Sequence, residues 1–302
     1  MHGHVPVLRT EVLSLLAPKP GDTVVDATLG LGGHAAAFLD AIGPVGRLIG
    51  VDADAENLAL ARKSLPAGVE LHHGNFRQLP DLVKAPVDIL FADLGLSSPH
   101  VDDASRGFTF RTSAFLDLRY DRGSGQTAAE FLLSSSEAEI TRVLSEYGEL
   151  PRSKTLAREL HALFRSQVRH LQEWKTSDVV ACVERVFGFQ SKRVLPQVFQ
   201  ALRIAVNDEI GALRSLLTAL PALLRPGGRS GIISYHSLED REVKRALRSL
   251  CTVEKDPRTG QDLHAPQWSL LTRKGVTPSA EEIAANPRAR SAVFRAIARI
   301  PR

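Results

Sequence analysis

Asp26, Asp52 and Asp93 each end a short apolar run, and a glycine-rich turn follows the first of them. The stretch Val24-Val25-Asp26-Ala27-Thr28-Leu29-Gly30-Leu31-Gly32-Gly33-His34 reads as a strand, a turn and the start of an alanine-rich helix. About 20 residues past the turn, Leu48-Ile49-Gly50-Val51-Asp52 reads as a second strand with an acid at its tip. That layout builds a nucleoside-cofactor pocket at the end of a parallel sheet. Glycines let the backbone approach a ligand where a Cβ would clash. An acid at the second tip accepts hydrogen bonds from a ribose diol. The structural alternative is a plain turn between a strand and a helix.

The glycines do not spell the dinucleotide pattern G-x-G-x-x-G. They follow an acid, as D-x-T-x-G-x-G, the form typical of S-adenosylmethionine methyltransferases. That cofactor has an amino-acid part and no pyrophosphate, so a helix N-terminus tuned for phosphate is less needed. Asp26 could attract its ammonium, directly or through water. The candidate cofactor residues of the turn are Gly30, Gly32, Gly33 and His34, with Asp52 beyond them.

Asp88-Ile89-Leu90-Phe91-Ala92-Asp93 is a strand that delivers Asp93 to its C-terminal end, followed by Leu94-Gly95-Leu96-Ser97-Ser98-Pro99-His100. Ligand chemistry in open α/β sheets sits outside such ends. Methyltransferases acting on base amines place an Asp, Asn or Ser there, before a proline-containing loop. An exocyclic amine is a poor nucleophile, because its lone pair is delocalised into the ring. Acceptors around its N–H groups favour a pyramidal nitrogen, an interaction that strengthens as charge develops. Asp93, Ser97 and Ser98 are the first catalytic candidates. Capping of the loop is the alternative role for Asp93.

Ser234-Tyr235-His236-Ser237-Leu238-Glu239-Asp240-Arg241 leaves a strand and enters a helix. Ser237 and Asp240 have capping-box spacing. Tyr235 and His236 would face the same sheet edge, as base-stacking or base-contacting groups or as packing residues. From Phe199 to Glu209, apolar positions recur at helical spacing. Gln200, Arg203 and Asn207, with Asp208 beside them, would share a polar face towards the cleft. The pairs His2/His4 and His72/His73 lack carboxylates at ligand spacing, so no metal is expected.

The elements that must position these residues alternate at first. Strands are predicted at 23–27, 47–52, 69–73 and 87–93, and helices at 33–42 and 55–65. This βαβα order calls for a parallel sheet with right-handed crossovers. From about 127 to 224 the apolar spacing is helical throughout. Strand character returns at Gly231-Ile232-Ile233-Ser234-Tyr235, and runs at 270–272 and 292–298 could close the sheet. The expected class is therefore α/β, with a helical module inserted. The expected division is 1–107 and 211–302 for the α/β domain and 108–210 for the insertion.

With 302 residues, 43% hydrophobic and 24% charged, the chain can bury a real core. Its cysteines, Cys182 and Cys251, exclude a disulfide scaffold and a cysteine zinc site, and they fit a reducing cytosol. No apolar run approaches the roughly 18 residues of a membrane span, and no signal-peptide pattern opens the chain. A cytoplasmic protein without a membrane partner is expected. The net charge of +4, with arginines gathered at 288–302 and 152–203, points weakly to an anionic partner.

Further strings join these: His4-Val5-Pro6-Val7-Leu8, His73-Gly74-Asn75-Phe76, Asp102-Asp103 with Arg106-Gly107-Phe108, Leu116-Asp117-Leu118-Arg119, and Asn286-Pro287-Arg288-Ala289-Arg290-Ser291-Ala292. Together the chain resembles the MraW family, bacterial small-subunit ribosomal RNA cytosine-N4 methyltransferases, from His4 to about Ala292. The resemblance implies a Rossmann-like S-adenosylmethionine methyltransferase domain with an inserted all-helical domain. It maps cofactor contacts onto Gly32, Gly33, His34, Asp52, Phe76 and Asp93. The family usually has a glutamine where His100 stands, and a basic residue where Gln197 stands. It implies small-subunit ribosomal RNA or the assembled small subunit as partner. Candidate RNA contacts are Arg106, Arg119, Gln200, Arg203, Asn207 and Arg241, and a homodimer stays open. Two rivals are a nicotinamide dehydrogenase, which the missing G-x-G-x-x-G disfavours, and a non-catalytic RNA-binding protein on the same fold.

Overall fold

The computed structural model describes residues 6–301. The chain forms two compact units, Met1–Gly95 with Gly211–Arg302, and Leu96–Ile210. The first unit begins with α1 (Arg9–Leu16), β1 (Thr23–Asp26), α2 (Gly33–Ile42), β2 (Arg47–Asp52), α3 (Ala55–Ser64), β3 (Glu70–His73), α4 (Leu79–Leu82) and β4 (Val87–Asp93). The second unit holds α5 (Ser98–Asp102), α6 (Ala128–Ser134), α7 (Glu137–Glu146), α8 (Ser153–Ser166), α9 (Thr176–Phe187) and α10 (Ser191–Asn207). The chain returns through α11 (Glu209–Leu223) to β5 (Leu224–Ser234), α12 (Ser237–Cys251), β6 (Trp268–Leu270), α13 (Ala280–Ala285) and β7 (Val293–Arg299).

The strands make one seven-stranded sheet in the order β3-β2-β1-β4-β5-β7-β6. The pairs from β3 to β5 are parallel, and β7 runs antiparallel between β5 and β6. This is the Rossmann-like methyltransferase arrangement, as expected. Strand order reverses at β1, with β2 on one side and β4 on the other. Such a switch point opens a crevice at the carboxyl ends of the strands. Asp26 ends β1 and Asp93 ends β4, so the reversal itself brings these acids to the crevice.

Burial explains the uniform apolar character of these strands. Val24, Val25, Ile89, Leu90, Phe91 and Ala92 are all buried, because helices cover both faces. One core joins β1, β2 and β4 to α11 and α12 through Val25, Leu90, Leu213, Leu217, Val243 and Leu247. The opposite core joins α1 and α2 to the sheet through Leu8, Val12, Phe38, Phe91 and Phe294. In the second unit, Leu156, Leu160 and Phe164 recur four apart on α8 and are buried. Phe164 stacks on Trp174 with ring centroids 4.0 Å apart. The Thr127–Glu130 capping box starts α6, with both the Thr127 N–H and hydroxyl donating to Glu130.

The structure departs from the sequence expectations in several places. Residues 96–107 group with the helical unit, so that unit begins at Leu96 and not at 108. α1 is an element that the sequence expectations lack; it is a short helix of two turns whose Val12 and Leu16 are buried against the sheet. β5 starts upstream of 231. Its pairing with β4 jumps from Val87↔Leu224 to Ile89↔Arg229, a bulge that absorbs Pro226-Gly227-Gly228. β6 lies at Trp268–Leu270, short of 270–272. No helix among the described residues is long and apolar enough to cross a membrane.

Candidate active site

The turn after β1 is tied down by the neighbouring strand ends. Leu29 N–H donates to the Val51 carbonyl at 2.9 Å. Gly30 N–H donates to Asp52 Oδ2 at 2.6 Å. The other oxygen of Asp52 accepts from Asp54 N–H at 2.8 Å. Gly30 and Gly32 have φ of +54° and +84°, a region that L side chains rarely enter. A Cβ on Gly30 would meet no protein atom nearer than 4.0 Å, whereas one on Gly32 would press on Leu65 at 3.1 Å. α2 then opens from Gly33, which lies against Pro6.

Asp93 meets the turn after β1, the residue after β5 and α2. Its N–H donates to Thr28 Oγ1 at 2.6 Å. Its Oδ1 accepts from the Tyr235 hydroxyl at 2.8 Å. Its Oδ2 lies 3.6 Å from His34 Nε2, a buried nitrogen that has no hydrogen-bond partner among the described residues. That separation is an electrostatic contact and is too long for a hydrogen bond. The His34 ring packs on Phe91 with centroids 4.6 Å apart. The Asp93 side chain keeps 24% of its surface exposed, enough to meet a ligand.

Asp26 is buried at the tip of β1 and accepts from Thr28 N–H at 3.2 Å. Burial pushes its carboxyl up to about 7, against the opposing effects of His34 and the Thr28 hydrogen bond, with Asp93 and Asp52 adding to the rise. Burial, the Asp93 charge and the Asp93 hydrogen bond together hold the Tyr235 phenol well above the usual tyrosine range. Asp26, Asp52 and Asp93 thus converge on one sheet edge. A cluster of carboxylates there favours a cationic ligand. S-adenosylmethionine carries a sulfonium and an ammonium, so this donor set fits it. The clear space over Gly30 and the orphaned His34 nitrogen fit it too.

The structure gives other predicted residues different duties. Ser237 is not the cap of α12: His236 takes that position, accepting from Glu239 N–H at 3.4 Å. Asp240 instead binds Arg295 bidentately at 2.7 and 3.0 Å. The Tyr235 hydroxyl is engaged on Asp93, and its N–H donates to buried Glu239 at 2.8 Å. Phe76 is half-buried just beyond β3 and packs on the α11–α12 side of the sheet. His72 pairs with Glu70 at 2.7 Å and His73 with the Ala53 carbonyl at 3.1 Å. Successive residues on a strand face opposite ways, so these histidines do not form a pair. His2 and His4 lie outside the described residues.

In the helical unit, Ser97 occupies the cap position of α5, and its N–H donates to His100 Nδ1 at 3.2 Å. Ser98 opens the helix. His100 is buried against Phe108 and Tyr120, each with ring centroids 5.2 Å away. Arg106 is 2% exposed and donates to the carbonyls of Arg119 and Tyr120. Arg119 grips Asp117 at 2.7 Å. Gln200 donates to the Tyr147 carbonyl at 3.3 Å. Arg203 holds Glu209 at 2.7 and 2.9 Å. Asn207 donates to the Leu118 carbonyl and accepts from Tyr120 N–H. Arg106, Arg119, Gln200, Arg203 and Asn207, expected at the RNA, thus each make bonds within the helical unit. Arg241 is the member of that set in the exposed class, on α12.

Thr28 and Glu239 were missed as site residues. The D-x-T spacing was the available signal for Thr28. Glu239 sits four residues after Tyr235, which by itself marks only a helix start.

Comparison with known proteins identifies the family. The model of the MraW methylase family matches residues 1–300. The Ribosomal RNA small subunit methyltransferase H of Thermomicrobium roseum is 42% identical, across 98% of this chain and 94% of that protein. The protein of the same name from Syntrophotalea carbinolica is 43% identical, across 98% of each chain. That from a Geobacter strain is 40% identical, also across 98% of each. The methyl donor is S-adenosylmethionine, the cofactor that the carboxylate cluster and glycine turn fit. Matched over nearly its whole length and carrying a Rossmann-like methyltransferase fold, the chain belongs to the MraW methylase family.

Proposed function

We propose that this chain transfers a methyl group from S-adenosylmethionine to the exocyclic N4 amine of a cytidine in small-subunit ribosomal RNA. The observation that carries the reading is the Asp93 carboxylate. It stands at the switch point, is fixed by Tyr235 and Thr28, and keeps part of its surface open. The relatives named for small-subunit ribosomal RNA supply the substrate class.

Asp52 would take the ribose diol, Phe76 the adenine side and Asp26 the ammonium. The donor supplies an electrophilic methyl on a positively charged sulfur. Asp93 would accept an N–H of the amine, drawing the lone pair out of conjugation with the ring. As the N–C bond forms and the S–C bond breaks, the nitrogen becomes cationic and its proton passes to Asp93 or to solvent. A carboxylate fixed beforehand stabilises that charge without reorganising. Alignment of nitrogen, methyl and sulfur provides much of the remaining acceleration. The target base would be presented unstacked, as base-modifying enzymes require. Free RNA and the assembled small subunit are both candidate substrates.

The test uses small subunits from cells lacking the enzyme, and labelled cofactor. Asp93→Ala should lower turnover about 10²- to 10⁴-fold, the range of a lost acid–base group. Undiminished methylation would sink the assignment. Retained cofactor binding with no transfer by the wild type would favour the non-catalytic RNA-binding reading.

A further inference from the structure

A recess in the first unit lies between α12 and β6, and Lys244, Arg248, Thr272, Arg273 and Arg295 line it. Arg295 is neutralised by Asp240. Lys244, Arg248 and Arg273 form no ion pair among the described residues. Like charges four apart on a helix repel, as Lys244 and Arg248 must on α12. The floor is rigid. Thr272 is buried, accepts from Ala296 N–H at 3.0 Å and donates its own N–H to the Ala296 carbonyl. Positive side chains are therefore concentrated on a fixed concave surface without their own counter-charge.

The sheet register places this recess relative to the chemistry. Arg295 shares a row with Ile232 on β5 and Ala92 on β4, one residue short of the row of Asp93. Neighbouring strands lie about 4.8 Å apart, so the β7 backbone is about 10 Å from the strand that carries Asp93. The chain leaving β6 at Leu270 runs towards the carboxyl edge of the sheet, since β6 is aligned with β5 through β7. A strand of RNA with one base at Asp93 would pass this recess within a few nucleotides.

We propose that Lys244, Arg248 and Arg273 form a binding site for the backbone phosphates of the substrate RNA that flank the methylated cytidine, with one phosphate contact each. The proposal rests on RNA being the substrate. Arg248 and Arg273 are exposed and can reach a phosphate directly. Arg295 would be held by Asp240 as the inner wall.

The test compares wild type with Lys244→Ala/Arg248→Ala/Arg273→Ala. Binding to a labelled cytidine-containing single-stranded RNA is measured over a salt series, and turnover on small subunits from cells lacking the enzyme. Each lost phosphate contact should lower the salt slope by about 0.7, so the triple variant should lose about 2. KM for the subunit should rise about tenfold or more, with kcat and S-adenosylmethionine affinity within about twofold of wild type. Arg273→Lys should keep most of the slope. A triple variant that matches the wild-type slope and KM would overturn the site while leaving the methylation chemistry intact. A wild type that binds RNA with the expected slope and transfers no methyl would overturn the chemistry while leaving the site intact. Loss of melting temperature in the triple variant is judged against Arg248→Ala alone, whose slope should fall by about 0.7.

Discussion

The hydroxyl of Tyr235 donates a 2.8 Å hydrogen bond to Oδ1 of Asp93, across 142 residues of sequence. It binds the tip of β4 to the residue that follows β5. One carboxylate oxygen is thus held, and the other faces His34. A hydrogen bond to a charged group is worth about 1.5–3 kcal/mol. Tyr235→Phe should therefore lower kcat about 10- to 100-fold while S-adenosylmethionine affinity changes little. Calorimetry and single-turnover methylation separate the two. An unchanged kcat would mean that Asp93 is positioned by Thr28 and the strand alone.

Asp26 makes cofactor binding depend on pH. Its carboxyl is raised to about 7 in the folded protein, above its ordinary value of 3.8. The sign follows from linkage. Below about 4 both folded and unfolded chains are protonated at this site. Between about 4 and 7 the unfolded chain ionises first, so the stability contributed by this group falls as pH rises, and it levels off above 7. Asp26→Asn should therefore raise the melting temperature at pH 8 more than at pH 5, the difference vanishing near pH 4. A cationic ligand favours the ionised form. Affinity for S-adenosylmethionine should thus increase as pH rises through about 7 in the wild type, and that increase should flatten in Asp26→Asn. Calorimetric titrations across this window decide the point.

Gly30→Ala separates a ligand requirement from a folding one. The protein leaves the added methyl clear, with the nearest atom at 4.0 Å. The left-handed φ of +54° alone should cost about 1–2 kcal/mol of stability. If the cofactor runs over this turn, its affinity should fall more than tenfold, beyond anything the melting shift explains. An affinity that stays within about twofold would place the cofactor elsewhere.

The Arg203–Glu209 pair should act on stability. Its side chains are only 12% and 10% exposed, so removal of the arginine leaves a largely buried carboxylate. Arg203→Ala should destabilise by about 3–5 kcal/mol. The double change Arg203→Met/Glu209→Met should recover much of that loss, because no lone charge remains. Chemical denaturation of both variants provides the check. Equal loss in the two would show that something other than the unpaired acid is responsible.

Much of the candidate donor site was legible because its signals are local. A strand that is buried on both faces is apolar throughout, so its end is visible where an acid appears. The bounds of β2, β4 and α2 follow from this, as do the positions of Asp52, Asp93 and the glycine turn. The Thr127–Glu130 cap is local in the same way. The misread residues were those whose partners are remote. Asn207 looked like a ligand-facing amide on a helix, and it closes on Leu118 and Tyr120, 89 and 87 residues away. Arg106 looked like a surface cation, and its guanidinium braces a loop 13 and 14 residues on.

The sequence by itself determined where β2 and β4 lie and which acids stand at the tips of β1, β2 and β4, because apolar periodicity and glycine placement act over a few residues. Tertiary structure alone decided what those acids meet. Strand order set Asp93 beside His34 and under Tyr235, and burial raised Asp26. Packing turned candidate RNA contacts into internal braces and left Lys244, Arg248 and Arg273 without a counter-charge. The physical reason is that a polar side chain satisfies itself with whatever the fold brings within about 3 Å, and no local pattern encodes that partner.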